Sequence, residues 1–276
     1  MTGLYNPPPI GVFDSGVGGL SVLKAIRAQL PAQPVLYFAD QAHVPYGSRT
    51  LEEVRAFSSV ITKFLLGLGS AMIVVACNTA SAAALQDLRE EFPDTHFVGM
   101  EPAVKPAAEQ TLTGVVGVLA TPATFQGRLY SSVVERFAKD VILLQDTCPG
   151  LVKEIEKGSL DGSVTRRILE NAIRPMLAQR IDTIVLGCTH YPFVIPLIRE
   201  IAGEGVSVID PAPSIARQTR RVLDSLGIVQ PADFHAEVRY FTSGAPDELK
   251  KLLPMLMGEK GTVQGLRWDG GQLKTI

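Results

Sequence analysis

The sequence predicts an α/β protein built from parallel sheets, and two observations carry that prediction. Short apolar runs alternate with longer amphipathic stretches along the chain, the rhythm of a parallel sheet covered by helices on both faces. A pattern near the start also recurs about one hundred residues later, so one unit is used twice.

Residues 10–13 read as a buried strand, 20–30 as a helix ended by Pro31, and 35–39 as a second strand. Residues 51–67 carry Val54, Phe57, Ile61, Phe64 and Leu65 at helical spacing. A strand at 72–76, a helix at 80–92 and a strand at 97–100 come next. The rhythm restarts with a strand at 115–120 and a helix at 124–137. Strands at 141–144, 184–187 and 206–209 continue it, with helices at 163–179, 191–201 and 215–226. Residues 239–242 and 246–257 supply a last strand and helix. Crossings are expected around Glu101, Pro102 and Pro106, and again around Asp210, Pro211 and Pro213. They divide the chain into a first domain of residues 1–101 with 211–276 and a second of 102–210.

The repeat is specific in two places. Gly11-Val12-Phe13-Asp14-Ser15 resembles Gly117-Val118-Leu119-Ala120-Thr121, 106 positions on. Ile73-Val74-Val75-Ala76-Cys77 resembles Ile184-Val185-Leu186-Gly187-Cys188, 111 positions on. Cys77 and Cys188 therefore hold matched places in two related halves.

Composition narrows the function. The 276 residues are 46% hydrophobic, enough for one or two cores, and the net charge is −2. That balance argues against nucleic acid as a partner. No apolar run is long enough for a membrane span. The start, residues 1–9, lacks the basic and apolar regions of a secretory signal, so a cytoplasmic protein is expected. Three cysteines at long spacings suggest neither a disulfide framework nor a structural zinc site.

Both repeated cysteines come after an apolar strand and before a helix, the edge where open α/β sheets bind ligands. Helix N–H groups there favour a thiolate, although a buried cysteine can equally be a small hydrophobe. Asp14-Ser15-Gly16-Val17-Gly18-Gly19 joins the first strand and helix. Its glycines would let the backbone approach a ligand and offer N–H groups to an anion. The alternative is a tight turn with Asp14 or Ser15 as helix cap. Pro45-Tyr46-Gly47 is either a plain turn or a shaped one whose tyrosine covers a ligand. His190 can exchange a proton with Cys188 or simply start a helix. His43, His96 and His235 have no comparable setting, and Cys148, before Pro149-Gly150, reads as structural.

Taken together, Asp14-Ser15-Gly16-Val17-Gly18-Gly19-Leu20, Pro45-Tyr46-Gly47, Ala76-Cys77-Asn78-Thr79-Ala80 and Gly187-Cys188-Thr189-His190-Tyr191-Pro192 resemble the glutamate racemases of the aspartate/glutamate racemase family. Ala120-Thr121-Pro122-Ala123-Thr124 and Thr242-Ser243-Gly244 extend the match over essentially the whole chain. The resemblance implies two flavodoxin-like domains related by pseudo-twofold symmetry, with the active site between them. It implies cofactor-independent and metal-free interconversion of L- and D-glutamate, supplying D-glutamate for peptidoglycan, in an enzyme that is a homodimer. Cys77 would remove the α-proton of D-glutamate, assisted by Asp14, and Cys188 that of L-glutamate, assisted by His190. Ser15, Tyr46, Gly47, Asn78, Thr79, Thr121, Thr124 and Thr189 would hold the substrate, together with Asp14 and His190. Glu156 matches the glutamate that orients the histidine. Its segment departs from the family pattern, because Lys153 and Lys157 stand where a proline and a second acid are usual.

The chemistry agrees with two opposed thiols. A proton must leave one face of Cα and arrive on the other, so one group is thiolate while the other is thiol. A free cysteine titrates near about 8.5, within reach of both forms. With no electron sink, the developing carbanion needs fixed donors, for which Asn78, Thr79, Thr121, Thr189 and the 15–19 backbone are candidates. Competing readings are an aspartate racemase, a cleft that only binds an amino acid, and a metal protein using the three cysteines.

Overall fold

A computed structural model describes residues 7–230 and 236–276. His235 and residues 1–6 of the start segment lie outside them. The first half of the chain lays down β1 (Ile10–Asp14), α1 (Leu20–Gln29), β2 (Val35–Ala39), α2 (Leu51–Gly67), β3 (Met72–Val75), α3 (Asn78–Glu91), β4 (His96–Gly99) and α4 (Val104–Gln110). Next come β5 (Val115–Ala120), α5 (Pro122–Gln126), α6 (Arg128–Phe137), β6 (Ile142–Asp146), α7 (Leu151–Glu156) and α8 (Ser163–Ala178). The chain continues with β7 (Thr183–Gly187), α9 (Ile195–Ala202), β8 (Ser207–Ile209) and α10 (Ala212–Leu226). It ends with β9 (Val238–Thr242), α11 (Pro246–Met257), β10 (Val263–Asp269) and β11 (Gln272–Thr275).

The strands form two sheets, ordered β11-β10-β9-β2-β1-β3-β4 and β6-β5-β7-β8. The runs β2-β1-β3-β4 and β6-β5-β7-β8 share one order, and the sequence repeat joins their equivalent strands, β1 with β5 and β3 with β7. Alternate residues of each central strand serve different cores, as period-two side chains must. In β3, Met72 and Val74 enter an apolar cluster shared with Ile184 and Leu186 of β7. Ile73 and Val75 face a second cluster under α2 and α3, and Val185 of β7 faces a third. After β8 the chain returns, and α10 packs on α1.

Three expectations need correction. The helix at 124–137 is divided at Gly127, which is extended (φ −70°, ψ 138°). Ala82 of α3 would lie 2.7 Å from a Cβ there, so the backbone is pressed against α3. The stretch 191–201 starts as a 3₁₀ turn, Tyr191–Val194, before α9, since Pro192 and Pro196 withhold N–H groups. The first sheet is not wholly parallel, because β11 pairs antiparallel with β10. Gly270 and Gly271, at φ +57° and +76°, make the turn between them. The short helices α4 and α7 lie in stretches to which the sequence pattern assigned no element.

Candidate active site

The carboxyl ends of β1, β2 and β3 meet those of β5 and β7 around one small cavity. Ser15, Tyr46, Gly47, Cys77, Asn78 and Thr79 line it from the larger sheet. Thr121, Cys188, Thr189 and His190 line it from the smaller, and Pro45 and Val152 complete it. Its volume is about 10 Å³, room for about one water. Two larger open cavities, of about 550 and 690 Å³, lie away from both cysteines. Asp14, Glu156 and Thr124 do not line the cavity but stand behind groups that do.

The cysteines occupy matched strand ends but differ locally. Cys77 is the N-cap of α3, and its sulfur accepts the Ala80 N–H at 3.4 Å. That contact favours a thiolate, but burial and then the charge of Asp14 outweigh it, and the thiol is pushed well up. Ser15 Oγ is 4.0 Å from the same sulfur. Cys188 caps no helix, because the 3₁₀ turn intervenes. Its sulfur lies 3.8 Å from His190 Nδ1. His190 Nε2 lies 2.6 Å from Glu156 Oε1. Burial alone would lower the His190 pKa, yet Cys188 and Glu156 together carry it well above its usual value. Burial opposes the Glu156 charge too, but His190, the Val17 N–H and Gln41 hold the carboxyl below its usual range.

The glycine-rich loop does come close to something, but to the protein itself. Asp14 Oδ2 accepts the N–H groups of Gly16 (3.2 Å) and Gly19 (2.8 Å). The Val17 N–H donates to Glu156 at 2.8 Å. These three donors are therefore taken and cannot serve an anion. A Cβ on Gly16 would strike Glu156, and one on Gly18 would strike His190, so these glycines let the loop press against the histidine relay. Burial raises the Asp14 pKa, with His190 and the Gly19 N–H partly offsetting it. Thr189 donates its hydroxyl to Asp14 Oδ1 at 3.3 Å.

Asn78 is 3% exposed, and both its amide oxygen and nitrogen lack a hydrogen-bond partner among the described residues. A buried amide with four unmade bonds is costly, and here it borders the cavity. Thr79 Oγ1 lies 2.9 Å from Thr121 Oγ1, which lies 2.9 Å from Thr124 Oγ1. This hydroxyl chain spans both sheets.

Two supporting residues escaped the sequence reading. Asp40 is fully buried and accepts from Tyr46, Ser243 and Trp268. Gln41 donates to Glu156 Oε2 at 3.1 Å. Their signal was positional, since they come directly after β2 at the same sheet edge as Asp14. The Tyr46 hydroxyl is committed to Asp40, so this residue presents its ring and main chain to the cavity.

The sequence matches the family model for Asp/Glu/hydantoin racemases over residues 10–219. It is 49% identical to the glutamate racemase of Pseudomonas paraeruginosa over 255 residues, 92% of this chain and 96% of that one. A glutamate racemase of Roseiflexus is 46% identical over 90% of this chain and 92% of its own. The fold is similar to that of Escherichia coli glutamate racemase crystallised with L-glutamate and the activator UDP-MurNAc-Ala. There the TM-score is 0.84 at 33% identity, covering 96% of this chain and all of that one. Francisella tularensis glutamate racemase, solved with D-glutamate, gives 0.80 at 27% identity, covering 94% and 97%. The chain belongs to the Asp/Glu/hydantoin racemase family, among relatives that are glutamate racemases.

Proposed function

We propose that this amino-acid racemase interconverts L- and D-glutamate with Cys77 and Cys188 as its two proton-transfer groups. One observation carries the assignment: each cysteine lies just past the carboxyl end of a central strand of a different sheet, yet both line one cavity. With Cα between the sulfurs, Cys188 removes the α-proton of L-glutamate while the Cys77 thiol protonates the opposite face. D-glutamate runs the steps in reverse. Cys77, raised by burial and by Asp14, rests as the thiol. A protonated His190, held by Glu156, stabilises negative charge on the Cys188 sulfur. Each turnover exchanges these states, and Asp14 and His190 are placed to return the proton. Asn78 and the Thr79–Thr121–Thr124 chain are the fixed donors for the carboxylates and the developing carbanion. Ser15, Gly47 and Thr189 complete the substrate's walls. Admitting glutamate requires those walls to part, given the cavity's size.

This reading takes residues 1–101 with 211–276 and 102–210 as two units closing on the substrate. It also takes the protein as a cytoplasmic homodimer that needs no cofactor and makes D-glutamate for peptidoglycan. Sedimentation measures the assembly, and a lysine-aldimine absorbance band in active protein would overturn cofactor independence.

The deciding experiment is α-hydrogen exchange in deuterated water. The intact enzyme labels both enantiomers of glutamate. Cys77→Ala, which keeps only Cys188, labels L-glutamate without racemising it, and Cys188→Ala labels only D-glutamate. Racemisation by either falls roughly a thousandfold or more, in the range of a lost proton-transfer group. Wild-type racemisation by either variant overturns the assignment, and aspartate assayed in parallel tests the substrate.

A further inference from the structure

We propose that Gln41 is a positioning residue for the Cys188 side of the reaction, acting through Glu156 and His190. The proposal rests on Cys188 being one of the two proton-transfer groups.

Glu156 is the last residue of α7, a helix of six residues entered through the left-handed Gly150. So short a helix does little to fix the rotation of the carboxylate at its end. The rotation is set by hydrogen bonds instead. Oε1 faces His190 Nε2 at 2.6 Å and also accepts the Val17 N–H at 2.8 Å. Oε2 has one donor among the described residues, the Gln41 amide at 3.1 Å. Two bonds on a single oxygen leave the carboxylate free to swing about them, and the third, on the other oxygen, stops it.

Gln41 is itself held in one orientation. Its Oε1 accepts the Thr242 hydroxyl at 2.8 Å. Thr242 Oγ1 accepts the Gly244 N–H at 3.0 Å, leaving its own proton for Gln41. Acceptor and donor ends of the amide are therefore distinguished, and the NH₂ is directed at Glu156. Gly244 passes so near that a Cβ there would sit 2.7 Å from Gln41 Cβ. The Thr242-Ser243-Gly244 motif thus acquires a purpose. It stands at the end of β9, which pairs with β2, and it aims a residue of the larger sheet at the relay behind Cys188 of the smaller one.

The test uses Gln41→Leu and Thr242→Val, with Glu156→Gln as reference, and L- and D-glutamate carrying α-deuterium. Enantiomers have equal free energy, so kcat/KM is the same in both directions for any variant. For Gln41→Leu it falls by roughly threefold to tenfold, the net worth of about one ordinary hydrogen bond. The direction-specific readout is the isotope effect on kcat/KM. Slowing only the Cys188 transfer raises it for L-glutamate and lowers it toward the equilibrium isotope effect of the first transfer for D-glutamate. Thr242→Val shifts it in the same senses by less, and keeps the test open if Gln41→Leu does not fold. A purely structural role reduces active enzyme and leaves both isotope effects unchanged. Unchanged effects in both variants, with opposite shifts in Glu156→Gln, overturn the role of Gln41 and leave the Cys188 assignment standing. No opposite shifts in Glu156→Gln either overturn the coupling of Glu156 through His190 to Cys188, and the proposal with it, while Cys188 itself stands or falls on the exchange experiment above.

Discussion

His190 Nε2 and Glu156 Oε1 lie 2.6 Å apart in a nearly dry setting, and each holds the other charged. The pair predicts a pH window for stability. His190 is raised above 6.5, so its contribution is complete below that value and lost as pH rises through its folded pKa. Glu156 is lowered below 4.5, so its contribution is complete above that value and lost as pH falls through its folded pKa. Glu156→Gln should therefore be most destabilising, relative to wild type, between about pH 4.5 and 6.5. The difference should shrink at higher pH. Urea unfolding from pH 4 to 9 measures it, and a difference that grows toward pH 9 contradicts the pairing.

The three cysteines should differ in reactivity, because the thiolate is the nucleophile. Burial and then Asp14 push Cys77 up, and burial and then Asp146 push Cys148 up. Of the three, Cys188 is the one with an imidazole nitrogen beside its sulfur among the described residues. Iodoacetamide at neutral pH should label Cys188 first, roughly tenfold or more ahead of the others, and glutamate should protect it. Peptide mass spectrometry gives the order. Labelling of Cys77 ahead of Cys188 would reverse the resting states assigned above.

Both cysteines were legible in sequence because strands buried on both faces read as unbroken apolar runs, and β1, β3 and β7 are such strands. The residue just past the carboxyl end of a central strand is then at the ligand edge by geometry. Gln41 and Asp40 also come just after such a strand, but their partners Thr242, Ser243 and Trp268 are about two hundred residues away in sequence. Only the pairing of β2 with β9, and of β9 with β10, brings them together, and no local pattern encodes it. The hairpin β10–β11 was within reach, since Asp269-Gly270-Gly271 is a turn signal. The glycine loop was legible as a close approach, but not its object, because Glu156 and His190 arrive from the other sheet.

Asp40 ties the carboxy-terminal hairpin to the Pro45-Tyr46-Gly47 loop that lines the cavity. Oδ2 accepts the Tyr46 hydroxyl at 2.6 Å and faces His43 Nδ1 at 2.9 Å. Oδ1 accepts Ser243 at 2.6 Å and Trp268 Nε1–H at 2.8 Å. Removing the carboxylate strands several buried donors, so Asp40→Ala should cost about 3 kcal/mol or more. Trp268→Phe removes one donor and should cost about 1 kcal/mol while raising KM for glutamate more than it lowers kcat. Trp268 is the only tryptophan, so its emission should report glutamate binding, and Tyr46→Phe should weaken that signal. Unchanged emission at saturating glutamate would disconnect the hairpin from the site.

Gly47 and Thr121 set how closely the two walls meet. Gly47 lies in the 3₁₀ turn Tyr46–Ser48 beside the larger sheet, and Thr121 stands at the end of β5 of the smaller. A Cβ on Gly47 would stand 2.7 Å from Thr121 Cβ, so Gly47→Ala must push the walls apart or displace the hydroxyl chain through Thr121. Overpacking of this kind costs about 1–3 kcal/mol. Thr121 borders the space proposed for substrate, so KM for glutamate should rise roughly tenfold, which corresponds to about 1.4 kcal/mol of binding. Gly205→Ala is the matched control, because nothing lies within 4 Å of its added Cβ, and it should leave both parameters unchanged. Steady-state kinetics with thermal unfolding separates the effects. If Gly47→Ala lowered stability but left KM at the control's value, closure of these two walls would not contribute to holding the substrate.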